Sequence, residues 1–259
     1  MSEVLKLAKP DNPVADAAGF IRTETAEDIL RSLALVRSID GAAVTMISGA
    51  PGIGKTEALL HYERQDRQAA VHISIAKGEG NPFHVAGRIL AEFGTHETRG
   101  KGLDELRVLV ASHLGPRRIL LVDEAQNLYQ RHKLSGTKGS SFGWLVAASD
   151  RGGFDLALCG DLTLPSIMME FPHLQSRMRR PVVIKAVSTA DVAALAANDG
   201  LVARVEVDLL TAVAKLPGGL RNVENVIRMA GIFAGRNTVT AAHLKAAIQD
   251  LKLDQSGAK

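Results

Sequence analysis

The sequence is poor in cysteine and in long apolar runs, and each absence excludes a class of protein. Its single cysteine, Cys159, has no partner for an intrachain disulfide, and no Cys/His cluster with metal-ligand spacing accompanies it. No uninterrupted apolar run reaches the roughly 18 to 20 residues that a membrane-spanning helix needs, and the opening segment MSEVLKLAKP lacks the apolar stretch of a secretory signal. We therefore expect a cytoplasmic protein without disulfides, a zinc site or a membrane partner.

Length and composition fit a folded protein with one large core. The chain has 259 residues and a mass of 27.6 kDa, and 46% of its residues are hydrophobic and 23% charged. These proportions are typical of soluble globular domains, and the length accommodates an α/β core with a small second domain. The net charge of +3 and the pI near 9.1 permit nucleic-acid binding without requiring it.

Apolar runs alternate with helical patterns over the first 186 residues. A helix is predicted from Thr25 to Ser38, where Ile29, Leu33 and Val36 recur at helical spacing. The apolar runs carry Val, Ile and Leu at successive positions, which is typical of strands buried on both faces. Such strands, separated by helices, predict a parallel sheet covered by helices on both sides. The predicted strands are 43–48, 69–75, 118–122, 154–159 and 181–186.

The sequence after residue 186 has a different pattern. It contains no convincing strand but three or four helical segments, one starting near Thr189 and another after Thr240. We therefore predict a small helical domain behind the α/β core. The predicted parts are a flexible N-terminal segment (1–20), the core (21–186), the helical domain (187–253) and a polar tail (254–259).

A phosphate-binding motif lies between the first predicted strand and the next predicted helix. Residues 49–56 read GAPGIGKT and match the pattern G-x-x-x-x-G-K-[ST] at every fixed position. Glycines let backbone N–H groups surround phosphate oxygens, and the following helix directs its positive end at the same anion. Lys55 is predicted to reach the outer phosphates, and Thr56 to offer its hydroxyl to Mg²⁺. The predicted ATP-binding residues are Gly49, Ala50, Pro51, Gly52, Ile53, Gly54, Lys55, Thr56 and Glu57.

A second nucleotide motif ends the third predicted strand. The run RILLVDEAQ places Asp123 and Glu124 at the C-terminal end of an apolar strand, the edge at which open α/β sheets bind their ligands. Asp123 is predicted to hold Mg²⁺, and Glu124 to orient and deprotonate the water that attacks the γ-phosphate. An Asp-Glu pair can also cap a helix, but an apolar strand leading into a phosphate site favours hydrolysis of ATP.

With both motifs in place, the chain resembles the AAA+ ATPases from about residue 20 to 250. The resemblance implies a P-loop NTPase fold, in which a parallel five-stranded sheet is sandwiched by helices and followed by a small C-terminal helical lid. The segment FDLALCGD ends a strand where such proteins carry the polar sensor 1 residue, here Asp161. The segment LQSRMRRP resembles the stretch that supplies an arginine finger to the neighbouring subunit, with Arg177 at the closest position. The segment PGGLRNVENVIR resembles the lid motif whose arginine, here Arg221, senses the γ-phosphate.

These arginines also have plainer interpretations. Arg179 and Arg180 stand close to Arg177 and could take its place as the finger. Together with Lys185 they form a basic group with no acid between its members, and such groups are often a solvated face or a nucleic-acid patch. Arg221 could likewise be an ordinary charge on a helix surface.

Within the AAA+ class, the sequence resembles the DNA-transposition ATPases typified by the phage Mu B protein. The resemblance rests on the approach segment GFIRTETAEDILRSLALVRSIDGAAVTMISGAPGIGKT, the strand end VDEAQNL, the compact size and the helical lid. It implies homo-oligomers or helical filaments that form with ATP on duplex DNA. These assemblies are expected to bind DNA without sequence specificity and to recruit a transposase or other recombination protein. Since the chain has no room for an N-terminal helix-turn-helix domain, we expect any DNA binding to come from the ATPase body.

A basic segment after the third strand is the first candidate for DNA contact. It has no acidic residue between Gln126 and Ser149, and its middle is a Gly/Ser-rich loop. Such a loop can lay positive charge along phosphates without reading sequence. The alternative is a solvated insertion whose aromatics, Phe142 and Trp144, belong to the following core helix. The candidate contacts are Arg131, Lys133, Lys138 and, in the Gly-rich turn AKGEGNP after the second strand, Lys77.

Other functions would use the same nucleotide site. A replication initiator, a helicase loader or a secretion-associated AAA+ motor would carry the same residues. A P-loop kinase for a small molecule is disfavoured by Glu124, which is placed to activate water, and by the helical domain with Arg221. The sequence therefore favours an ATPase that regulates DNA transposition, with ATP and Mg²⁺ as its ligands.

Overall fold

The structure is a computed structural model that describes residues 19–96, 98–129 and 141–254. These residues form two units. The core unit comprises the described part of Ala26–Ala186, and the helical unit comprises the described parts of Met1–Thr25 and Val187–Lys259. Most of the predicted flexible segment 1–20 and of the predicted tail 254–259 lies outside the described residues.

The core unit is built on a parallel five-stranded sheet in the order β2-β3-β4-β1-β5. All paired strands run in the same direction, so their carboxyl ends meet at one edge of the sheet. This sheet confirms the predicted fold class, and each strand overlaps the run predicted for it. The strands are β1 (Val44–Gly49), β2 (Ala70–Ser74), β3 (Ile119–Asp123), β4 (Asp155–Gly160) and β5 (Val182–Ile184).

Position in the sheet explains the pattern of each strand. Every side chain of β1, β3 and β4, the three inner strands, is buried, which is why these runs are apolar at successive positions. β5 is an edge strand that pairs only with β1, and it is shorter than the predicted run 181–186. Pro181 precedes β5 and has no backbone N–H to donate to a neighbouring strand. Val183, the middle residue of β5, is 48% exposed.

Helices connect the strands and supply the rest of the core. α1 begins one residue before Thr25, and its periodic residues Ile29, Leu33 and Val36 are fully buried. Phe142 and Trp144 belong to the main hydrophobic cluster, which favours the interpretation that these aromatics are part of a core helix. The helices up to β5 are α1 (Glu24–Arg37), α2 (Lys55–Gln65), α3 (Pro82–Ala91), α4 (Leu103–Leu114), α5 (Ser141–Gly152), α6 (Leu164–Met168) and α7 (Pro172–Gln175).

The helical unit contains α8 (Thr189–Asn198), α9 (Arg204–Ala214), α10 (Leu220–Ala234) and α11 (Ala241–Asp250). The first and last of these helices begin where the sequence predicts them. Ser188 Oγ accepts from the N–H of Asp191 at 3.0 Å and caps α8. Asp191 in turn accepts from the N–H and the Oγ1 of Thr25 at 3.0 and 2.6 Å, so Thr25 bonds to α8. Among the described residues, no helix combines the length and apolar character needed to cross a membrane.

Candidate nucleotide-binding site

The phosphate-binding loop joins β1 to α2. β1 ends at Gly49, and α2 starts at Lys55 after a tight turn. Gly52 and Gly54 have φ angles of 75° and 90°, in the left-handed region that residues with a Cβ rarely occupy. The first N–H groups of a helix lack intrahelical partners and lie at the positive end of its dipole. The loop and the start of α2 therefore form an anion site suited to phosphate.

Lys55 directs its ammonium group back towards the loop. Its Nζ donates to the carbonyl oxygens of Gly49 at 2.7 Å and Ala50 at 2.9 Å. Both acceptors are neutral, whereas phosphate oxygens are charged and form stronger hydrogen bonds with an ammonium group. The charge of Lys55 is thus placed where a phosphate in the loop would be the better partner.

Thr56 and Asp123 join the two sequence motifs. Thr56 Oγ1 donates to Asp123 Oδ2 at 2.7 Å across a separation of 67 residues. Asp123 is only 3% exposed, and its Oδ1 accepts from the N–H of Glu124 at 2.9 Å. Hydroxyl and carboxylate oxygens are ligands that Mg²⁺ prefers. No cluster of three or more His, Cys, Asp and Glu occurs in the described ranges. One hydroxyl and one carboxylate fit an ion that keeps water and phosphate oxygens as its other ligands.

Two further side chains lie against Asp123. His72 on β2 places its Nε2 at 4.0 Å from Asp123 Oδ2, and this buried nitrogen has no hydrogen-bond partner within the described structure. Cys159 on β4 is fully buried. Burial, and after it the negative charge of Asp123, raise the pKa of the Cys159 thiol well above its usual value. The thiol therefore stays protonated and is a buried side chain rather than a nucleophile.

Glu124 differs from its neighbour in both exposure and backbone. Its side chain is exposed, and its backbone is in the left-handed region with φ 55° and ψ 38°. That conformation costs on the order of 1 kcal/mol for a residue with a Cβ and is concentrated at functional sites. Glu124 Oε2 accepts from Gln126 Nε2 at 2.5 Å. The acidic pair thus consists of one buried carboxylate bonded to Thr56 and one accessible carboxylate held by an amide.

Asp161 follows β4 directly, at the edge where the sheet binds ligands. Its Oδ1 accepts from the N–H and the Oγ1 of Thr163 at 2.8 and 2.5 Å, and its carbonyl accepts from Ser48 Oγ at 2.8 Å. The carboxylate is therefore engaged by its own turn, while the backbone is tied to β1. The sensor 1 role of Asp161 stays a prediction.

The three arginines after α7 have different partners. Arg177 donates to Asp150 Oδ2 at 2.8 Å and to the carbonyl of His173 at 3.2 Å. The guanidinium of Arg179 donates to the carbonyls of Ser176 and Met178 in its own turn, at 3.1 and 3.0 Å, and its backbone N–H donates to the carbonyl of Val44 at 2.7 Å. Arg180 bonds through its guanidinium to the carboxylate and carbonyl of Asp28 on α1, so it is part of the internal structure of the core unit. Arg177 and Arg179 are the better placed of the three to reach another molecule.

The remaining predicted site residues lie apart from these contacts. Arg221 is the second residue of α10 in the helical unit, and it is exposed. Lys77 is exposed in the turn that follows β2. The predicted DNA contacts Arg131, Lys133 and Lys138 lie outside the described residues.

Sequence reasoning did not single out Gln126, His72 or Asp150. Gln126 stands two residues after Glu124, and His72 is a polar residue inside an apolar strand, so both gave a local signal that could have been used. Asp150 gave none, because its partner Arg177 lies 27 residues further along the chain and is brought close only by the fold.

Comparison with known proteins places this site in a family. Residues 37–168 match the family described as AAA domain, and residues 176–251 match the family described as Mu B transposition protein, C terminal. Two relatives are named ATP-dependent target DNA activator B, from Escherichia phage D108 and Escherichia phage Mu. Each is 28% identical over 243 residues, which cover 91% of this chain and 74% of the relative. The predicted resemblance to AAA+ proteins and to Mu B is confirmed.

Solved structures agree with the fold. The Aeropyrum pernix ORC1 protein in complex with DNA is similar with a TM-score of 0.65 and 18% identity over 91% of this chain and 67% of that one. The Thermotoga maritima RuvB Holliday junction branch migration motor is similar with a TM-score of 0.58 and 13% identity over 95% of this chain and 75% of that one. At such identities the likeness concerns the fold alone.

The AAA domain match spans slightly more than half of the chain and includes the phosphate-binding loop, Lys55, Thr56 and the acidic pair. In the structure these residues meet at the carboxyl edge of the parallel sheet, where Thr56 bonds to Asp123. The chain therefore belongs to the AAA domain family and is a P-loop ATPase.

Proposed function

We propose that the chain is an ATP-dependent DNA-binding ATPase that regulates DNA transposition. In this proposal, subunits loaded with ATP assemble as oligomers or filaments on duplex DNA and recruit a transposase or other recombination protein to the target. The main support is the match over 91% of the chain to two relatives named target DNA activator B. The match runs through both units, so it includes the helical unit as well as the nucleotide site. We further propose that the protein acts in the cytoplasm.

The nucleotide chemistry follows from the loop and the acidic pair. Backbone N–H groups of the phosphate-binding loop after Pro51 and of the start of α2 hold the phosphates, and Lys55 exchanges its carbonyl partners for outer phosphate oxygens. Thr56 and Asp123 would hold Mg²⁺. The ion, when bound, neutralises charge on the phosphate oxygens.

Glu124 is the proposed base. Its exposed carboxylate can accept a proton from the attacking water, whereas Asp123 is buried and already bonded to Thr56. Two adjacent carboxylates therefore do different work because one is accessible and the other is not. The proposed products are ADP and inorganic phosphate.

Two arginines are proposed to link hydrolysis to assembly and to the nucleotide state. Arg177 is the proposed finger, which reaches the nucleotide of a neighbouring subunit and balances charge on the transferred phosphoryl group. Arg221 is the proposed sensor in the helical unit. The bond between Arg177 and Asp150 supports a finger that is held on a surface, while the bond between Arg180 and Asp28 makes Arg180 the weaker choice.

DNA contact is proposed to come from the segment with Arg131, Lys133 and Lys138, and from Lys77. These are contacts to phosphates, which position a protein on DNA without reading sequence. Binding without sequence specificity suits an assembly that spreads over arbitrary DNA targets.

Electron microscopy of the protein with long duplex DNA tests the proposal directly. We expect oligomers or filaments with a non-hydrolysable ATP analogue and none with ADP, and Lys55→Ala, which should bind the analogue more weakly, serves as the control with reduced assembly. Binding assays at one salt concentration should give similar affinities for unrelated duplexes. Equal assembly with and without nucleotide, or a strong preference for one short site, would contradict the proposal.

A further inference from the structure

The side chain of Gln126 bridges the ends of two neighbouring strands. It stands in the short 3₁₀ turn Ala125–Leu128 that follows β3. Its Nε2 donates to Glu124 Oε2 at 2.5 Å, and its Oε1 accepts from the N–H of Asp161, just after β4, at 3.2 Å. Both ends of one neutral amide are therefore used, one on the proposed base and one on the backbone of the next strand.

The end of β4 leaves room for this amide. A Cβ on Gly160 would lie 2.4 Å from Gln126 Oε1, 3.4 Å from the backbone nitrogen of Gln126 and 3.1 Å from Leu164 Cδ2. Contacts of 2.4 Å do not occur between such atoms, so any larger residue at position 160 would push the amide away from its place. Gly160 and Gln126 are thus fitted to each other.

The bridge acts on the carboxylate of the proposed base. Glu124 is exposed, and an exposed side chain samples several rotamers. A hydrogen bond to Oε2 restricts the carboxylate and leaves Oε1 to meet a water molecule. Because the amide is neutral, it orients the Glu124 carboxylate without neutralising its charge. An arginine or lysine at the same place would neutralise that charge.

The carboxylate of Asp161 does not perform this task. It is bonded to Thr163, and a carboxylate next to Glu124 would repel it rather than donate to it. The link between β4 and the base runs through the backbone N–H of Asp161 and the amide of Gln126.

We propose that Gln126 is a positioning residue that fixes the carboxylate of Glu124 against the end of β4. This proposal rests on the role of Glu124 as the base. Orientation of a reacting group contributes strongly to rate, and a displacement of about 1 Å can cost on the order of 100-fold. Gln126→Ala is therefore expected to lower kcat by about 10- to 100-fold while leaving the affinity for Mg·ATP and the assembly on DNA within about 2-fold.

The measurement is phosphate release by the full chain at saturating ATP and DNA, together with equilibrium binding of a fluorescent ATP analogue. A fall in kcat without a change in nucleotide affinity is the result that a merely structural role does not give. An unchanged kcat, or a parallel loss of nucleotide affinity and thermal stability, would overturn the proposal.

Gly160→Ala gives an independent test through a double-mutant cycle. The added Cβ displaces the amide, so this variant should lose kcat to a similar extent, and Gly160→Ala combined with Gln126→Ala should be no slower than Gln126→Ala alone. Gly87→Ala is the matched control, because a Cβ on Gly87 in α3 meets no atom within 4 Å. Effects that multiply in the double variant would show that the two residues act separately and would overturn the proposal.

The role of Glu124 is tested apart from that of Gln126. If Glu124→Gln hydrolyses ATP at the wild-type rate, the assignment of the base is wrong, whatever Gln126→Ala does. If Glu124→Gln is inactive but Gln126→Ala has normal kcat, only the positioning role of Gln126 is lost.

Discussion

Arg177 donates to Asp150 Oδ2 at 2.8 Å, which ties the segment after α7 to the last turn of α5. Both side chains are partly exposed, with 34% for Arg177 and 44% for Asp150. Exposed ion pairs contribute at most about 1 kcal/mol, so this bond can be exchanged for a bond to a phosphate at little cost. The pair therefore holds the partly exposed Arg177 at the surface without fixing it there.

If Arg177 serves the nucleotide of a neighbour, its loss can be repaired in mixed assemblies. Arg177→Ala should bind ATP normally but lose at least about 100-fold in DNA-dependent hydrolysis, since a finger supplied in trans contributes about 10³- to 10⁵-fold in related phosphoryl transfers. Glu124→Gln should also be inactive. Mixing the two variants should restore part of the activity, because Glu124→Gln subunits donate Arg177 to sites that retain Glu124.

Arg179→Ala is the control for this experiment, since the guanidinium of Arg179 donates to carbonyls of its own turn. If Arg179→Ala, and not Arg177→Ala, is rescued by Glu124→Gln, the finger is Arg179. If neither variant is rescued at any mixing ratio, neither Arg177 nor Arg179 acts as a finger on a neighbouring subunit.

Lys55→Ala and Glu124→Gln should separate ATP binding from ATP hydrolysis. Lys55→Ala removes charged hydrogen bonds to phosphate, each worth about 1.5 to 3 kcal/mol, so ATP affinity should fall by about 10- to 100-fold. Glu124→Gln should keep ATP bound, lower kcat by about 100-fold or more, and leave the protein trapped on DNA. Nucleotide binding, phosphate release and the lifetime of the DNA complex are the measurements. Wild-type hydrolysis by Glu124→Gln would contradict the mechanism.

How much of this site the sequence predicts depends on whether the interacting residues are local. The phosphate-binding loop and the acidic pair are contiguous motifs next to apolar strands, so Lys55 and Asp123 could be assigned from spacing alone. The bond of Arg180 to Asp28 joins residues 152 positions apart, and no local pattern marks it. The fit of Gln126 to Gly160 depends on the approach of two strand ends, which only the folded sheet creates.

Thr25 and Asp161 show the same difference between long-range and local contacts. Thr25 stands at the predicted start of α1, and its hydroxyl bonds to Asp191 because the fold brings α8 to it. An acidic side chain in a turn commonly accepts a hydrogen bond from the backbone two residues on. The bond from the N–H of Thr163 to Asp161 could therefore be predicted from the sequence.

DNA binding should weaken steeply with salt, and the steepness should report on Lys77. Each phosphate contact contributes about 0.9 to the slope of log affinity against log salt concentration, so Lys77→Ala should lower the slope by about 1 without changing sequence preference. Lys215→Ala, an exposed lysine of the helical unit, is the matched control. Fluorescence anisotropy with one duplex at several salt concentrations gives the slopes. Equal slopes for the wild type and Lys77→Ala would exclude a phosphate contact by Lys77.

The same assay applies to the segment that lies outside the described residues. Replacing Arg131, Lys133 and Lys138 together by alanine should lower the slope by up to about 3, if all three contact phosphates. A triple variant that binds like the wild type would exclude phosphate contacts by these three residues.

Asp155 lies at the end of the sheet opposite to the nucleotide site and makes the stability of the protein depend on pH. It opens β4, is only 6% exposed, and accepts from the N–H of Ala43 at 2.9 Å. Burial raises the pKa of its carboxyl from 3.8 to about 6, against smaller opposing effects of the Ala43 N–H and of Arg37. In the window between these two values the folded protein binds more protons than the unfolded chain, so stability falls as pH rises.

Asp155→Asn should remove this dependence, because the amide oxygen can still accept from Ala43 and carries no charge. Relative to the variant, the wild type should lose up to about 3 kcal/mol between pH 4 and pH 6, at about 1.4 kcal/mol for each unit of pKa. Thermal unfolding midpoints of both proteins from pH 4 to pH 8 provide the comparison, with the exposed Asp208→Asn as a control for the loss of one charge. Parallel curves of unfolding midpoint against pH for the wild type and Asp155→Asn would contradict this prediction. They would mean that burial of the charged carboxylate does not lower the stability of the protein.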